Sequence, residues 1–288
     1  MECLACPREC GNDRSSQTGA CGATDGIEVS IARLHQWEEP PISGTRGSGT
    51  VFFSHCNLHC RFCQNHDISQ LGKGRPVSPG ELERMMLGLQ DRGAHNINLV
   101  TPTHYTEQLI PVLERVKPKL TVPVVWNSNA YEKVEVLRWL EGLVDVWLPD
   151  IKYHDDSLAR QYSSAPGYFG FASAAVSEMA RQAGPARFDA DGTILSGVII
   201  RHLVLPGHAD DSIRILDWVA DSLGTSTRIS LMAQYYPAYR AAELPGMDRR
   251  LRPSEYARVR DRFVELGFEE GFTQQLSSAS PDYTPDFE

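Results

Sequence analysis

The sequence predicts an α/β protein: a partial or full parallel (β/α) barrel of about six strands, with a small N-terminal cysteine-rich metal module. Three observations carry this. From residue 50 onward, short β-branched runs alternate with longer stretches of helical period, the pattern of strand–helix units around a parallel sheet. About six such units favour a barrel over a short open sheet. All seven cysteines lie in the first 63 residues, before or at the start of that alternation.

The strand candidates, in order, are residues 50–54, 96–101, 123–127, 144–149, 197–205 and 228–233, with a further one near 268–272. Between them the 3.6-residue period predicts helices over 79–92, 105–117, 131–142, 169–183, 210–223 and 254–266. Their ends carry chemical signals. Ser78-Pro79-Gly80-Glu81 reads as a capping box with proline at the first helical position, and Gly93 and Gly224 stand where C-terminal glycines belong. Asp191-Gly192, between residues 187–188 and 193–195, predicts a hairpin leading into the fifth strand. The chain therefore divides into a metal-binding module over 1–30, a barrel over 31–276 and a Ser-, Pro- and Asp-rich tail over 277–288.

Twenty-eight basic against 37 acidic residues give a net charge of −9, which argues against binding nucleic acid or an anionic membrane through bulk electrostatics. No run approaches the roughly 18 apolar residues of a membrane span. MECLACPREC has neither the basic start nor the apolar run of a secretory signal, so the reading is cytoplasmic. An odd number of cysteines in such a chain points to metal binding over a disulfide framework.

In a parallel barrel the ligand sits at the carboxyl ends of the strands. Residues 56–63, 101–104, 127–129, 150–152, 206–208 and 234–235 all follow strand candidates. Among them, Cys56, Cys60 and Cys63 are spaced C-x3-C-x2-C. Three thiolates on one loop hold three corners of a 4Fe-4S cluster and leave the fourth iron open. The alternative is a zinc site completed by His55, His59 or His66, although structural zinc usually arrives on two close cysteine pairs. Cys3, Cys6, Cys10 and Cys21 offer four further thiolates with turn-forming Pro and Gly beside them, a closed set suited to structural zinc or an auxiliary 4Fe-4S cluster. An unmetallated, frayed terminus is the plain alternative.

The cysteine loop, with an aromatic before its last member in Cys60-Arg61-Phe62-Cys63, resembles the signature of the radical S-adenosylmethionine (SAM) superfamily. More narrowly, WEEPPISGTRGSGTVFFSHCNLHCRFCQN, NLVTPTH, DIKY, RHLVLPGH and YTPDF are similar to pyruvate formate-lyase-activating enzyme-like proteins. The resemblance covers nearly the whole chain. It implies an anaerobic radical SAM oxidoreductase whose open iron chelates the amino and carboxylate groups of SAM. One-electron cleavage then gives methionine and a 5′-deoxyadenosyl radical that removes a substrate hydrogen. The implied partners are SAM, a reducing donor such as flavodoxin or ferredoxin, and a glycyl radical enzyme.

The resemblance also places Phe62 against the adenine, with core packing as the alternative. Where the superfamily usually has a G-G-E type segment for the methionyl amine, this chain has Thr101-Pro102-Thr103-His104; the hydroxyls of Thr101 and Thr103 or the His104 ring are the candidates for that contact, which the sequence leaves unassigned. Asn127, Ser128 and Asn129 suit ribose hydroxyls or a simple turn. Asp150 and Lys152, like the D-L-K motif of activating enzymes, share a strand face and hold each other, a cation or the cofactor's polar end. Arg201 and His202 interrupt an apolar strand and face opposite sides; His202 is the one expected inside, towards the cofactor, with a satisfied structural role for either as the alternative. Tyr235, in a Tyr-rich loop, is expected at an aromatic lip or in ordinary packing. Three functions follow: glycyl radical activation of a partner protein, radical modification of a small molecule or peptide, and a non-catalytic iron–sulfur carrier or sensor, which would need four ligands instead of an open triplet.

Overall fold

The computed structural model describes residues 2–280, 285 and 287. Its strands are β1 (Glu28–His35), β2 (Ser48–Phe53), β3 (Arg75–Pro76), β4 (Ile97–Val100), β5 (Val124–Ser128), β6 (Val146–Pro149), β7 (Arg187–Phe188), β8 (Ile194–Leu203), β9 (Arg228–Met232) and β10 (Phe272–Thr273). One sheet joins them in the order β10-β9-β8-β6-β5-β4-β2-β1-β3, with β7 pairing to β8 off this path. The two ends of that order are not neighbours, so the barrel is partial.

The six predicted strands are the parallel series β2, β4, β5, β6, β8 and β9, and β10 adds a short parallel seventh. The antiparallel flank of β1 against β2, and β3 against β1, was not predicted. Only Val29 and His35 of the eight residues in β1 are buried, so it lacks the apolar density of its neighbours. Because β1 begins at Glu28, the module boundary drawn at residue 30 falls inside a strand.

The helices are α1 (Pro40–Ser43), α2 (His66–Ser69), α3 (Pro79–Asp91), α4 (Thr106–Val116), α5 (Val134–Leu137), α6 (Asp156–Ser163), α7 (Tyr168–Ala183), α8 (Ala209–Leu223) and α9 (Pro253–Glu265). The Ser78 hydroxyl accepts the Glu81 N–H at 3.2 Å, and Leu82, Met86 and Leu89 bury one face of α3. The Glu81 carboxylate turns to Arg75 instead of closing the box. The helix expected over 131–142 shortens to α5 and a 3-10 turn at Arg138–Leu140: Glu132 is held in the preceding loop by hydrogen bonds from Thr103, Trp126 and Ser128, and Gly142 turns at φ 80°. The α6 helix was not predicted; Asp155 caps it by accepting the Ser157 N–H at 2.8 Å. The Asp191-Gly192 hairpin forms as expected, with Gly192 at φ 80°.

Strand periodicity sorts the core into two layers. Trp126, Trp147 and Ile200 point outward into the helical shell, whereas Val125, Val146, Leu148 and Ile199 point inward and, with Ile42 of α1, form an apolar floor. Two residues further along β5 and β8, the inward positions become Asn127 and Arg201, so the polar site lies above that floor at the strands' carboxyl ends. Of the predicted tail 277–288, residues 281–284, 286 and 288 lie outside the described residues; Phe287 packs edge-on against Phe52 at 5.5 Å. Among the described residues no helix is long and apolar enough to cross a membrane.

Candidate active site

Three successive loops at the carboxyl ends of parallel strands contain a non-glycine residue in the left-handed region: His55 (φ 70°), Thr101 (φ 58°) and Ala130 (φ 58°). For a β-branched residue such as Thr101 this conformation costs on the order of 1–3 kcal/mol, and it persists only where surrounding contacts hold it. The three loops rim a cavity of about 220 Å³ above the apolar floor.

Cys56, Cys60 and Cys63 line one wall of this cavity, and each thiol meets a hydrogen-bond donor or hydroxyl. Cys56 Sγ accepts from the Leu58 N–H at 3.3 Å and from Asn129 Nδ2 at 3.4 Å. Ser163 Oγ donates to Cys60 Sγ at 3.0 Å, and Ser69 Oγ lies 3.2 Å from Cys63 Sγ. Burial pushes all three thiols up, Cys63 to about 11, with Cys60 adding to the rise there. Metal binding at these thiols must therefore release protons.

The donor set fits a cluster with an open corner. None of His55, His59 and His66 lines the cavity. His55 pairs with Glu28 at 3.3 Å, His66 stacks on Tyr239 at 4.9 Å, and the surroundings of His59 are Gln70, Ala20 and Arg8.

A line of partly buried charges runs from the cavity to Glu38. Lys152 Nζ donates to Asp150 Oδ2 at 2.8 Å, Arg201 Nε to Asp150 Oδ1 at 2.7 Å, and Arg201 Nη1 to Glu38 Oε2 at 3.0 Å. Arg201 Nη2 also donates to Asn127 Oδ1 at 2.5 Å, and Glu38 Oε1 accepts from Asn98 at 3.0 Å and Asn127 at 3.2 Å. Burial opposes the Asp150 carboxylate, but Arg201 and Lys152 outweigh it and hold its pKa below the ordinary value. At Glu38 burial prevails over Arg201 and the pKa rises. A second cleft of about 420 Å³, lined by Trp37, Glu39 and Phe272, shares Arg201, Met232 and Gln234 with the cavity and opens beside β10.

Most of the predicted residues converge here. Phe62, Thr101, Asn127, Asn129, Asp150 and Lys152 line the cavity with the three cysteines. His202 does not: the alternation of β8 turns Arg201 inward and His202 outward, where its Nδ1 lies 2.7 Å from the Ile151 carbonyl. Thr103 is also turned away and donates to the buried Glu132 at 3.0 Å. His104 contacts the Ser54 carbonyl at 2.9 Å behind the loop. Tyr235 is core, not lip. It is 1% exposed, packs on Phe62 at 5.8 Å between centroids and donates to the Met247 carbonyl at 2.6 Å.

Sequence reasoning missed Glu38, Ser69 and Ser163. The adjacent acids of Trp37-Glu38-Glu39 just before two prolines were the one readable signal; the serines lie in short helices with no motif of their own.

The N-terminal cysteines also come together. Cys6 and Cys21 are buried while Cys3 and Cys10 are partly exposed. The Cys3 and Cys10 thiols hydrogen-bond, and burial pushes Cys6 up to about 12, with neighbouring Cys21 and Cys3 adding to the rise.

A family model described as "Radical SAM superfamily" matches residues 50–219. An uncharacterized protein of Methanocaldococcus jannaschii is 32% identical over 259 residues, covering 86% of this chain and 70% of that one. Among solved structures, Streptococcus suis SuiB bound to its precursor peptide SuiA superposes with a TM-score of 0.54 at 13% identity, covering 79% of this chain and 48% of SuiB. SuiB bound to S-adenosylmethionine gives 0.52 at 14% identity, with 79% and 50% covered. At such identities the likeness is one of fold, and the chain spans about half the length of SuiB.

Proposed function

Because this chain belongs to the radical SAM superfamily, we propose that it is a radical SAM enzyme that holds a 4Fe-4S cluster on Cys56, Cys60 and Cys63 and binds S-adenosylmethionine in the cavity beside them. The observation that carries this reading is three thiols on one cavity wall that, among the described residues, no fourth thiol or histidine lines. When bound, the cluster and cofactor supply one-electron reductive cleavage of a carbon–sulfur bond and, through it, hydrogen-atom abstraction.

The chain's own residues orient and insulate. Leu58 N–H, Asn129 and Ser163 donate to thiolate sulfur, which stabilises negative charge there. Lys152 and Arg201, tied to Asp150 and Glu38, present a fixed polar wall for the amino and carboxylate groups of the cofactor. Phe62 supplies an apolar face for adenine, held from behind by Tyr235 and Tyr162. Asn127 and Asn129, both engaged with protein groups, position Arg201 and Cys56 in addition to any ribose contact.

The finer reading is that the hydrogen comes from a glycyl Cα of a partner polypeptide. Its support is the resemblance to activating enzymes and the side cleft past Trp37, which joins the cavity at Arg201 and Gln234. The four N-terminal cysteines form a second metal centre in this reading, and an external protein such as flavodoxin or ferredoxin supplies electrons.

The test is anaerobic. Iron-restored, chemically reduced protein receives S-adenosylmethionine, and 5′-deoxyadenosine is assayed with the cluster's electron paramagnetic resonance (EPR) spectrum. Product with a cofactor-dependent spectral change is expected, and Cys60→Ala should abolish both. Fully loaded, folded protein that forms no 5′-deoxyadenosine would leave a carrier or sensor instead. A glycyl radical signal on a co-incubated partner would support the finer reading; hydrogen loss from a small molecule or peptide would replace it.

A further inference from the structure

Glu39 is the odd member of the charge line. Among the described residues, the charged groups lining the cleft beside β10 are Glu38, Glu39 and Arg201, two carboxylates against one guanidinium. Arg201 is already committed: Nε serves Asp150, Nη1 serves Glu38 and Nη2 serves Asn127. Its Nη1 lies 3.9 Å from Glu39 Oε2, beyond hydrogen-bond reach. Glu39 is 8% exposed and Ser230 hydrogen-bonds its side chain, yet among the described residues Oε2 has no hydrogen-bond partner. A buried carboxylate oxygen left in that condition costs free energy that a donor on a ligand recovers.

The backbone pins this carboxylate in place. Glu39 precedes Pro40 and Pro41 at the start of α1, and its carbonyl accepts the Ile42 and Ser43 N–H groups at 2.8 and 3.0 Å. Ile42 is fully buried in the apolar floor, so α1 has no freedom to turn Glu39 elsewhere. Met232 and Phe272 add apolar lining to the cleft, and Arg201, Met232 and Gln234 belong both to it and to the cavity of the three thiols. A ligand with its charged end at Glu39 and an aliphatic stem along Met232 therefore runs from the cleft into the cavity.

We propose that Glu39 receives an organic cation, an ammonium or guanidinium on an aliphatic stem, and that this group is the part of the substrate the enzyme recognises. This rests on the reading of the adjoining cavity as the cofactor site and names the substrate class: a lysine or arginine side chain of a polypeptide, or a free alkylamine. A cation balances Glu38 and Glu39 against Arg201 and supplies the donor that Oε2 lacks. A neutral group does only the second, and an anion meets two carboxylates. Burial raises the Glu39 pKa against the pull of Arg201, with Glu38 adding to the rise, so an incoming cation also stabilises the ionised carboxylate.

Equilibrium binding to the anaerobic, iron-restored full chain, with and without S-adenosylmethionine, tests this. The probes are Nα-acetyl-lysine methylamide, its isosteric neutral 6-hydroxynorleucine counterpart, and n-butylammonium. Wild-type protein should bind the lysine probe roughly ten- to hundredfold more tightly than the hydroxyl counterpart, and Glu39→Gln should abolish that preference. The first comparison is made on the wild type, so it stands even where the variant fails to fold. Equal binding of the two probes to wild type, or a preference that survives in Glu39→Gln, would overturn the proposal. So would weaker binding of the lysine probe when S-adenosylmethionine is present, because the cofactor's own ammonium would then occupy Glu39. A selective site supports the proposal with either source of the cation: tighter binding of the lysine probe than of n-butylammonium assigns a polypeptide, and equal binding a free amine. Cofactor capture is read separately, by its own EPR change, so loss of selectivity here leaves the cofactor reading standing.

Discussion

Replacing Arg201 by Gln tests whether the buried charge line is a single balanced unit. The Arg201 side chain is 15% exposed and neutralises Glu38, 8% exposed, and Asp150, 17% exposed. Glutamine carries no charge and cannot span both carboxylates. Asp150 would keep Lys152, but Glu38 would retain only the amides of Asn98 and Asn127. Stranding a buried carboxylate costs about 3–5 kcal/mol, or a fall in melting temperature of roughly 6–15 °C for a chain of this size. The penalty should shrink at lower pH: burial raises the folded pKa of Glu38, so its unfavourable contribution grows as pH rises through that value and fades below it. Anaerobic thermal melts of the loaded protein without S-adenosylmethionine measure this. Glu38→Gln/Arg201→Gln should recover much of the loss, with a coupling energy of about 2 kcal/mol. A single variant melting like the wild type, or strictly additive effects in the double, would refute the reasoning.

Ser163→Ala removes the 3.0 Å donor to Cys60 and should lower the catalytic cluster's reduction potential on the order of 40 mV, about 1 kcal/mol for one electron, in an EPR-monitored titration; an unchanged potential would show that the bond does not reach bound sulfur. Burial holds His104 neutral with a pKa of about 3, below the ordinary 6.5. The unfolded chain therefore binds the extra proton, and stability that is full above about pH 6.5 is lost as pH falls towards 3, by about 1.4 kcal/mol at pH 5.5. His104→Gln should remove that share of the pH slope between 7.5 and 5.5, and an identical slope would count against it. Tyr235→Phe should lower stability by about 1–2 kcal/mol through loss of the Met247 bond while 5′-deoxyadenosine formation per loaded protein is retained; loss of product at unchanged stability would return Tyr235 to the cavity mouth.

The elements legible in the sequence were those whose residues vote together. Fully buried strands such as β4 and β5 read as short runs dominated by apolar residues, Ile97, Leu99 and Val100 in one and Val124, Val125 and Trp126 in the other, and α3 announced itself through Ser78, Pro79 and the spacing of Leu82, Met86 and Leu89. β1 was not legible, because only two of its residues are buried and its place depends on pairing with β2. The cysteine loop was legible as a motif since its three thiols come from eight consecutive residues. The partners of those thiols were not: Asn129, Ser163 and Ser69 reach Cys56, Cys60 and Cys63 from three different loops and helices.

Local spacing and periodicity thus sufficed for the parallel α/β architecture, the strand ends where chemistry gathers and the open thiol triplet, because each is written in residues close along the chain. Whether Arg201 or His202 faces inward, whether Tyr235 is lip or core, and that Glu38 completes the charged wall were decided by tertiary structure alone. Glu38 and Arg201 meet across 163 residues, and a strand's two faces differ by a single residue of register that only pairing with its neighbours sets.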